Sequence, residues 1–201
     1  MSECMVCDRI DLTKRRENSY FVRDLETGYV VIGDYQRFYG YTVFICKQHA
    51  SELFQLENDF KMKFLEEMSL VVECVYKAFP CDKIHYELLG VGSGVHMHWH
   101  IFPRREGDSP VKGPVWKVPK EEMYNEKYKP SMEQLNEMKE ILNNDCVINA
   151  LKVHGIHTPS LKNHWTSTEI NSRFAYMISK ANGQEKSAKE ASALVRAVCE
   201  F

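Results

Sequence analysis

Three histidines carry the chemistry this chain can do. His96, His98 and His100 recur at every second position, with Met97, Trp99 and Ile101 between and after them. A period of two is that of a β-strand, whose successive side chains point to opposite faces. The spacing therefore predicts three imidazoles on one face, roughly 6.6 Å apart along the strand, with an apolar layer behind them. A free imidazole has a pKa near 6.5. At neutral pH it can act as nucleophile, proton carrier or metal ligand. Two further groups invite metal chemistry. Cys4 and Cys7 form a C-x-x-C pair, which supplies half of a four-ligand zinc site. His49 follows a strand-like segment as Lys47-Gln48-His49. A redox reading of the Cys pair requires a following helix to lower a thiol pKa. The charged, weakly patterned stretch from Asp8 to Glu17 does not predict one.

The elements that must position these groups can be read from pattern. Tyr20-Phe21-Val22, Tyr29 to Ile32 and Tyr41 to Cys46 read as strands, the first two joined through Glu26-Thr27-Gly28. From Asn58 to Phe79, the residues Phe60, Phe64, Met68, Val71, Val72, Val75 and Phe79 repeat at helical intervals, and Pro80 stops the run. Glu66, Glu67, Glu73 and Lys77 fall off that stripe. Ile84 to Leu89 is a fourth strand and the histidine row a fifth. Gly90-Val91-Gly92-Ser93-Gly94 connects them, and amides in such a loop can bind phosphate oxygens. Five strands with one long helix predict an antiparallel α+β domain. Ser131 to Gln134 has capping-box spacing and opens a helix with Met132, Leu135, Met138, Ile141 and Leu142 on one side.

The His-x-His-x-His row, with Lys83 to Gly90 before it and Trp99-His100-Ile101-Phe102-Pro103-Arg104 at its end, resembles the signature of the histidine-triad nucleotide hydrolases and transferases, in their bacterial form. The resemblance covers residues 4 to 142. It implies that His98 attacks the α-phosphorus of a nucleoside polyphosphate or phosphoramidate. A nucleotidylated histidine would form, and water would release a nucleoside monophosphate. His100 and the glycine-rich amides would hold the phosphoryl oxygens. Asp34, just past the second strand, would hold the ribose hydroxyls. His85 stands where relatives usually carry Asn; with Ser93 and Gly94 it would face the phosphates. Cys4, Cys7, His49 and His96 match the ligands of zinc-bearing relatives, a Cys₂His₂ set suited to one structural zinc. No catalytic metal is required, and a twofold homodimer is the usual assembly.

Two other readings are open on the residues alone. His-x-His can be the ligand pair of a zinc-dependent hydrolase. The substitution at His85 and the long tail also allow a nucleotide-binding scaffold with little turnover.

Composition narrows the classes. The chain has 201 residues, 44% apolar and 27% charged, with a net charge of −2. Nothing there suggests bulk nucleic-acid or anionic-membrane binding. No apolar run approaches the ~20 residues of a membrane span. Seven cysteines, without a basic and apolar leader after Met1, point to reduced thiols and a cytoplasmic setting. The domain is expected over 1–142, with 143–201 a helical extension of unassigned role. Within it, Thr168 to Ser179 and a segment opening at Ser187 read as helices, after an irregular run from Val153 to Trp165.

Overall fold

A computed structural model describes residues 4–90, 95–110, 112–153, 164–169, 174–179 and 183–188, with side chains to residue 144. Ser93 and Gly94 lie outside the described residues.

The expected antiparallel domain is present. Its strands are β1 (Phe21–Asp24), β2 (Gly28–Ile32), β3 (Thr42–Cys46), β4 (Lys83–Leu88) and β5 (His98–Arg104), in the order β1-β2-β3-β5-β4. Every neighbouring pair is antiparallel. β5, the histidine strand, is thus flanked by β3 and β4. β4 forms an outer edge.

Both faces of the sheet centre are covered, so β2 and β3 are buried throughout rather than alternating. Val30, Ile32, Phe44, Cys46 and Ile101 point to one side and pack with Phe64, Val71, Cys74 and Val75 of the long helix α2 (Asn58–Ala78). Phe44 and Phe64 stack at 5.0 Å. Each such side chain contributes about 1.5–3 kcal/mol on burial. Leu135, Met138 and Leu142 of helix α4 (Met132–Val153) join this core. Tyr29, Val31, Val43 and Ile45 point to the other side, under Ile10 of helix α1 (Met5–Lys14). Further along that side, Val115 and Val118 cover Phe102 and Phe38 ahead of the short helix α3 (Lys120–Met123). His98 and His100 belong to this second face.

Three sequence expectations within this domain need correction. The charged stretch after Cys4 is helical. Cys4 caps it, its sulfur accepting from the Cys7 amide at 3.4 Å, and Ile10 supplies its single buried anchor. Its stripe is too narrow to show as a period. β5 begins at His98, not His96. Met97 instead binds backbone to Ala50 and Cys46, which turns His96 away from the row. Glu67 was expected on the solvent side of α2 but is 6% exposed. Its carboxylate accepts from the amides of Glu26 and Thr27 and from the Thr27 hydroxyl, closing the β1–β2 turn. A buried carboxylate persists where such donors meet it. Helix α4 passes through position 142 and ends at Val153, because nothing in Asn143-Asn144-Asp145 forbids a helix. Two compact units divide at Ala150/Leu151.

Past that division the backbone forms strands where helices were expected. β6 (His164–Glu169), β7 (Phe174–Ser179) and β8 (Gly183–Ala188) make an antiparallel sheet in that order. Trp165, Thr166, Thr168, Phe174, Tyr176 and Ile178 all favour strands, and Asn182-Gly183 is a hairpin signal between β7 and β8. Residues 154–163 and 189–201, which hold the rest of the expected irregular and helical segments, lie outside the described residues.

Candidate functional site

The histidine row divides into two environments. At its start, His96 is 2% exposed. Its Nε2 lies 2.6 Å from the Cys46 carbonyl oxygen. A carbonyl can only accept, so His96 carries its proton on Nε2 and presents Nδ1 as a lone pair. That nitrogen is 3.3 Å from Cys7 Sγ, and His49 Nδ1 is 3.1 Å from the same sulfur. Cys4, Cys7, His49 and His96 together offer four ligand atoms, all within 4.8 Å of one another. A tetrahedral ion with bonds of 2.0–2.3 Å places its ligand atoms about 3.3–3.8 Å apart, so a small contraction suffices. The histidine–carbonyl bond is the kind of support that metal-bound imidazoles need. Burial and the neighbouring Cys4 push the Cys7 thiol up to about 11. Without a cation the Cys7 sulfur stays protonated at neutral pH, and a bound metal would displace that proton. The C-x-x-C is therefore a pair of ligands facing two imidazoles.

Two positions on, the surroundings change. His98 Nδ1 lies 2.7 Å from the backbone oxygen of His96. Again the carbonyl accepts, so in the neutral ring the proton sits on Nδ1 and Nε2 of His98 is the lone-pair nitrogen. His98 and His100 are edge to face at 4.6 Å. His100 Nδ1 is 2.6 Å from the Tyr41 hydroxyl. Tyr41 stacks on Phe102 at 4.3 Å and 9°. Burial, and secondarily His98, lower the His100 pKa to about 4. His100 is thus neutral at physiological pH. Burial also raises the Tyr41 phenol well above its ordinary range. The Tyr41 ring needs glycine at position 33, where an added Cβ would lie 2.0 Å from it. Gly40, at φ 93°, turns the chain just ahead of Tyr41.

The other residues picked out from sequence are distributed around this face. Asp34 does not stand free. Its carboxylate takes both oxygens to Arg9 Nη2 on α1, at 2.8 Å each. His85 stands on β4 opposite Phe102, away from His98. Its Nδ1 is 3.3 Å from Arg104 Nη1, and burial, then Arg104, lower its pKa. Its charge change is moved below neutrality. Arg104 also holds the Asp108 carboxylate by two 2.8 Å bonds and the Gly113 carbonyl at 2.9 Å, tying the following loop to the end of β5. Among the described residues, the four-ligand group includes His96 and excludes His98.

Sequence reasoning passed over three neighbours of the row. Tyr41 was read only as the start of a strand. Glu87 is paired directly opposite His100, with Oε2 buried and without a hydrogen-bond partner, and burial raises its pKa. The alternation His85, Glu87 along β4 was a usable signal for it. Arg9 reaches Asp34 from a helix that the pattern did not disclose.

Comparison with known proteins bears on this architecture. No protein-family model matches the sequence, and neither does any curated protein. Solved structures do match. A hypothetical histidine triad nucleotide-binding protein from Sulfolobus tokodaii is 20% identical, over 74% of this chain and 97% of its own, with TM-score 0.57. A histidine triad protein from Bradyrhizobium japonicum is 20% identical, over 65% of this chain and 94% of its own, with TM-score 0.55. A zinc-bound histidine triad family protein from Mycobacterium smegmatis is 14% identical, over 75% and 97%, with TM-score 0.53. The five-stranded sheet, the long helix across it and the histidine row on its covered face are the histidine-triad fold.

Proposed function

We propose that the chain is a nucleotide hydrolase of the histidine-triad family, acting at the α-phosphate of a nucleoside polyphosphate or phosphoramidate. The observation that carries this reading is the 2.7 Å bond from His98 Nδ1 to the His96 carbonyl. It leaves the other nitrogen with its lone pair, on a ring seated in a sheet rather than a loop. Nε2 attacks the α-phosphorus. A P–N bond forms as the bond from phosphorus to the leaving phosphate, or to the amine, breaks. The leaving group departs with that bond's electron pair. Water then attacks the same phosphorus, the P–N bond breaks, and the monophosphate is freed with His98 restored. An alcohol or phosphate in place of water would make the same step a transfer. His100 acts as a neutral donor to the phosphoryl oxygens as charge develops there. Ser93, Gly94 and the loop amides, Asp34 and His85 are assigned to substrate. Asp34 requires its Arg9 partner to share the carboxylate with a ribose.

Cys4, Cys7, His49 and His96 would hold one structural zinc. Two thiolates and two imidazoles are the donor set this ion prefers. Bound there, it cross-links the start of α1 to the segment leading into β5. The chain is also proposed to pair as a homodimer through its β4 edge, beside which Tyr76 and Tyr86 are half exposed; sedimentation as a monomer at micromolar concentration would exclude it. Among the described residues no helix is long and apolar enough to cross a membrane.

The test uses a dinucleoside polyphosphate and a nucleoside phosphoramidate, each labelled at the α-phosphate. After brief incubation and denaturation, label should remain on the protein and monophosphate should accumulate. His98→Ala should show neither. Chelator-sensitive turnover with no bound label would favour a zinc hydrolase instead. Binding without product would favour a scaffold.

A further inference from the structure

His98 and His100 are adjacent on one strand face, yet they meet opposite kinds of partner. The group beside His98 Nδ1 is a carbonyl oxygen, which only accepts. The group beside His100 Nδ1 is a phenol hydroxyl, which can donate or accept, at 2.6 Å. The direction of that second bond decides what His100 offers. If Nδ1 donated, the Tyr41 proton would need another acceptor. Among the described residues none lies within hydrogen-bond reach of that hydroxyl, and a buried donor left unpaired is costly. If the phenol donates, both groups are satisfied. His100 then carries its own proton on Nε2.

We propose that Tyr41 is a positioning residue, whose hydroxyl donates to His100 Nδ1 and holds His100 in the Nε2–H tautomer, opposite to that of His98. Neighbouring rings then present unlike atoms. His98 shows a lone pair, for attack. His100 shows an N–H, for an oxygen of the same phosphate. Two rings in the same tautomer could not divide the work this way. The seat of Tyr41 is built for it. The ring lies flat on Phe102, rests over the bare Gly33 backbone, and its carbonyl accepts from the Gly33 amide at 2.8 Å. The proposal rests on the hydrolase reading for its catalytic meaning. Its structural content can be tested without turnover.

The measurement is a long-range proton–nitrogen correlation spectrum of the ¹⁵N-labelled full chain at neutral pH, with His100 assigned by His100→Gln. In the unmutated protein His100 should appear as the Nε2–H tautomer and His98 as Nδ1–H. Tyr41→Phe keeps the stacked ring and removes only the hydroxyl. It should shift His100 toward a tautomer mixture and leave His98 unchanged. Gly33→Ala displaces the Tyr41 ring from the other side and should produce the same change. With labelled nucleotide, Tyr41→Phe should lower kcat about tenfold, with KM within about twofold, as for an interaction made in the transition state. A His100 proton on Nδ1 in the unmutated protein, or a His100 spectrum unmoved by Tyr41→Phe, would overturn the assignment. No turnover in either protein would overturn the hydrolase reading, while the spectra would still decide for or against Tyr41.

Discussion

The two ends of the histidine row are built from the same residue type on one continuous stretch, and they differ in exposure and in what their second nitrogen meets. His96 is sealed, with one nitrogen on a carbonyl and the other facing two sulfurs and a second imidazole. His98 and His100 are partly exposed. Their partners are a carbonyl and a phenol. The difference teaches that the second nitrogen decides an imidazole's role. Where the first is tied to an acceptor and the second meets thiols, the ring suits a metal. Where the second meets open space, it suits a substrate.

Breaking each end separately tests that division. The largest effect should come from His98→Ala. Turnover should fall on the order of 10⁴-fold or more, as when an essential nucleophile is lost, while metal content and Tm stay near their unmutated values. A mutant that keeps most of its activity would end the comparison. Next, Cys4→Ser with Cys7→Ser should abolish metal binding and cost on the order of 4 kcal/mol, about 8–16 °C in Tm. Metal analysis beside calorimetry reads both, and full occupancy would show the ligand set to be wrong.

Protonation sharpens the contrast. His100 titrates near 4 in the folded chain, against an ordinary value of 6.5, because burial disfavours its cation. Below 6.5 the unfolded chain takes up the proton and the folded chain does not. Stability is therefore full above 6.5 and declines as pH falls from 6.5 toward 4, by up to about 3 kcal/mol from this group. His85 and His96 are lowered by burial too and act in the same direction. Denaturant unfolding across that range should show the decline, and His100→Asn should flatten it in part. The smallest effect belongs to Gly33→Ala. Its Cβ would strike the Tyr41 ring, for about 1–3 kcal/mol of overpacking. Metal content should not change, since nothing at the His96 end is touched. Loss of metal in this mutant would mean the two ends are not independent.

Much of this was legible beforehand, for identifiable reasons. A strand-period row of histidines backed by Met97, Trp99 and Ile101 admits one sheet-like arrangement, and Phe60 to Phe79 admits one helical face. Glu67 was misread because its partners, the amides of Glu26 and Thr27, lie some forty residues away. Helix α1 was missed because a single buried residue, Ile10, leaves almost no period. The strands past Leu151 were missed because Phe174, Met177 and Ile178 satisfy a helical spacing while Phe174, Tyr176 and Ile178 satisfy a strand alternation.

What the sequence determined by itself was the inventory and its local order: which rings alternate three times, which thiols stand three positions apart, and which apolar faces must be covered. Those are consequences of backbone period and residue type, which act over a few residues. What only the tertiary structure decided was partnership. Cys7 meets His96 across 89 positions and Tyr41 meets His100 across 59. Arg9 occupies the Asp34 carboxylate from a different element. Such pairs form when sheet register and the packing of α1 on the sheet bring distant elements side by side. Hydrogen bonds reach only about 3 Å, so tertiary placement, rather than sequence spacing, assigns each nitrogen its partner.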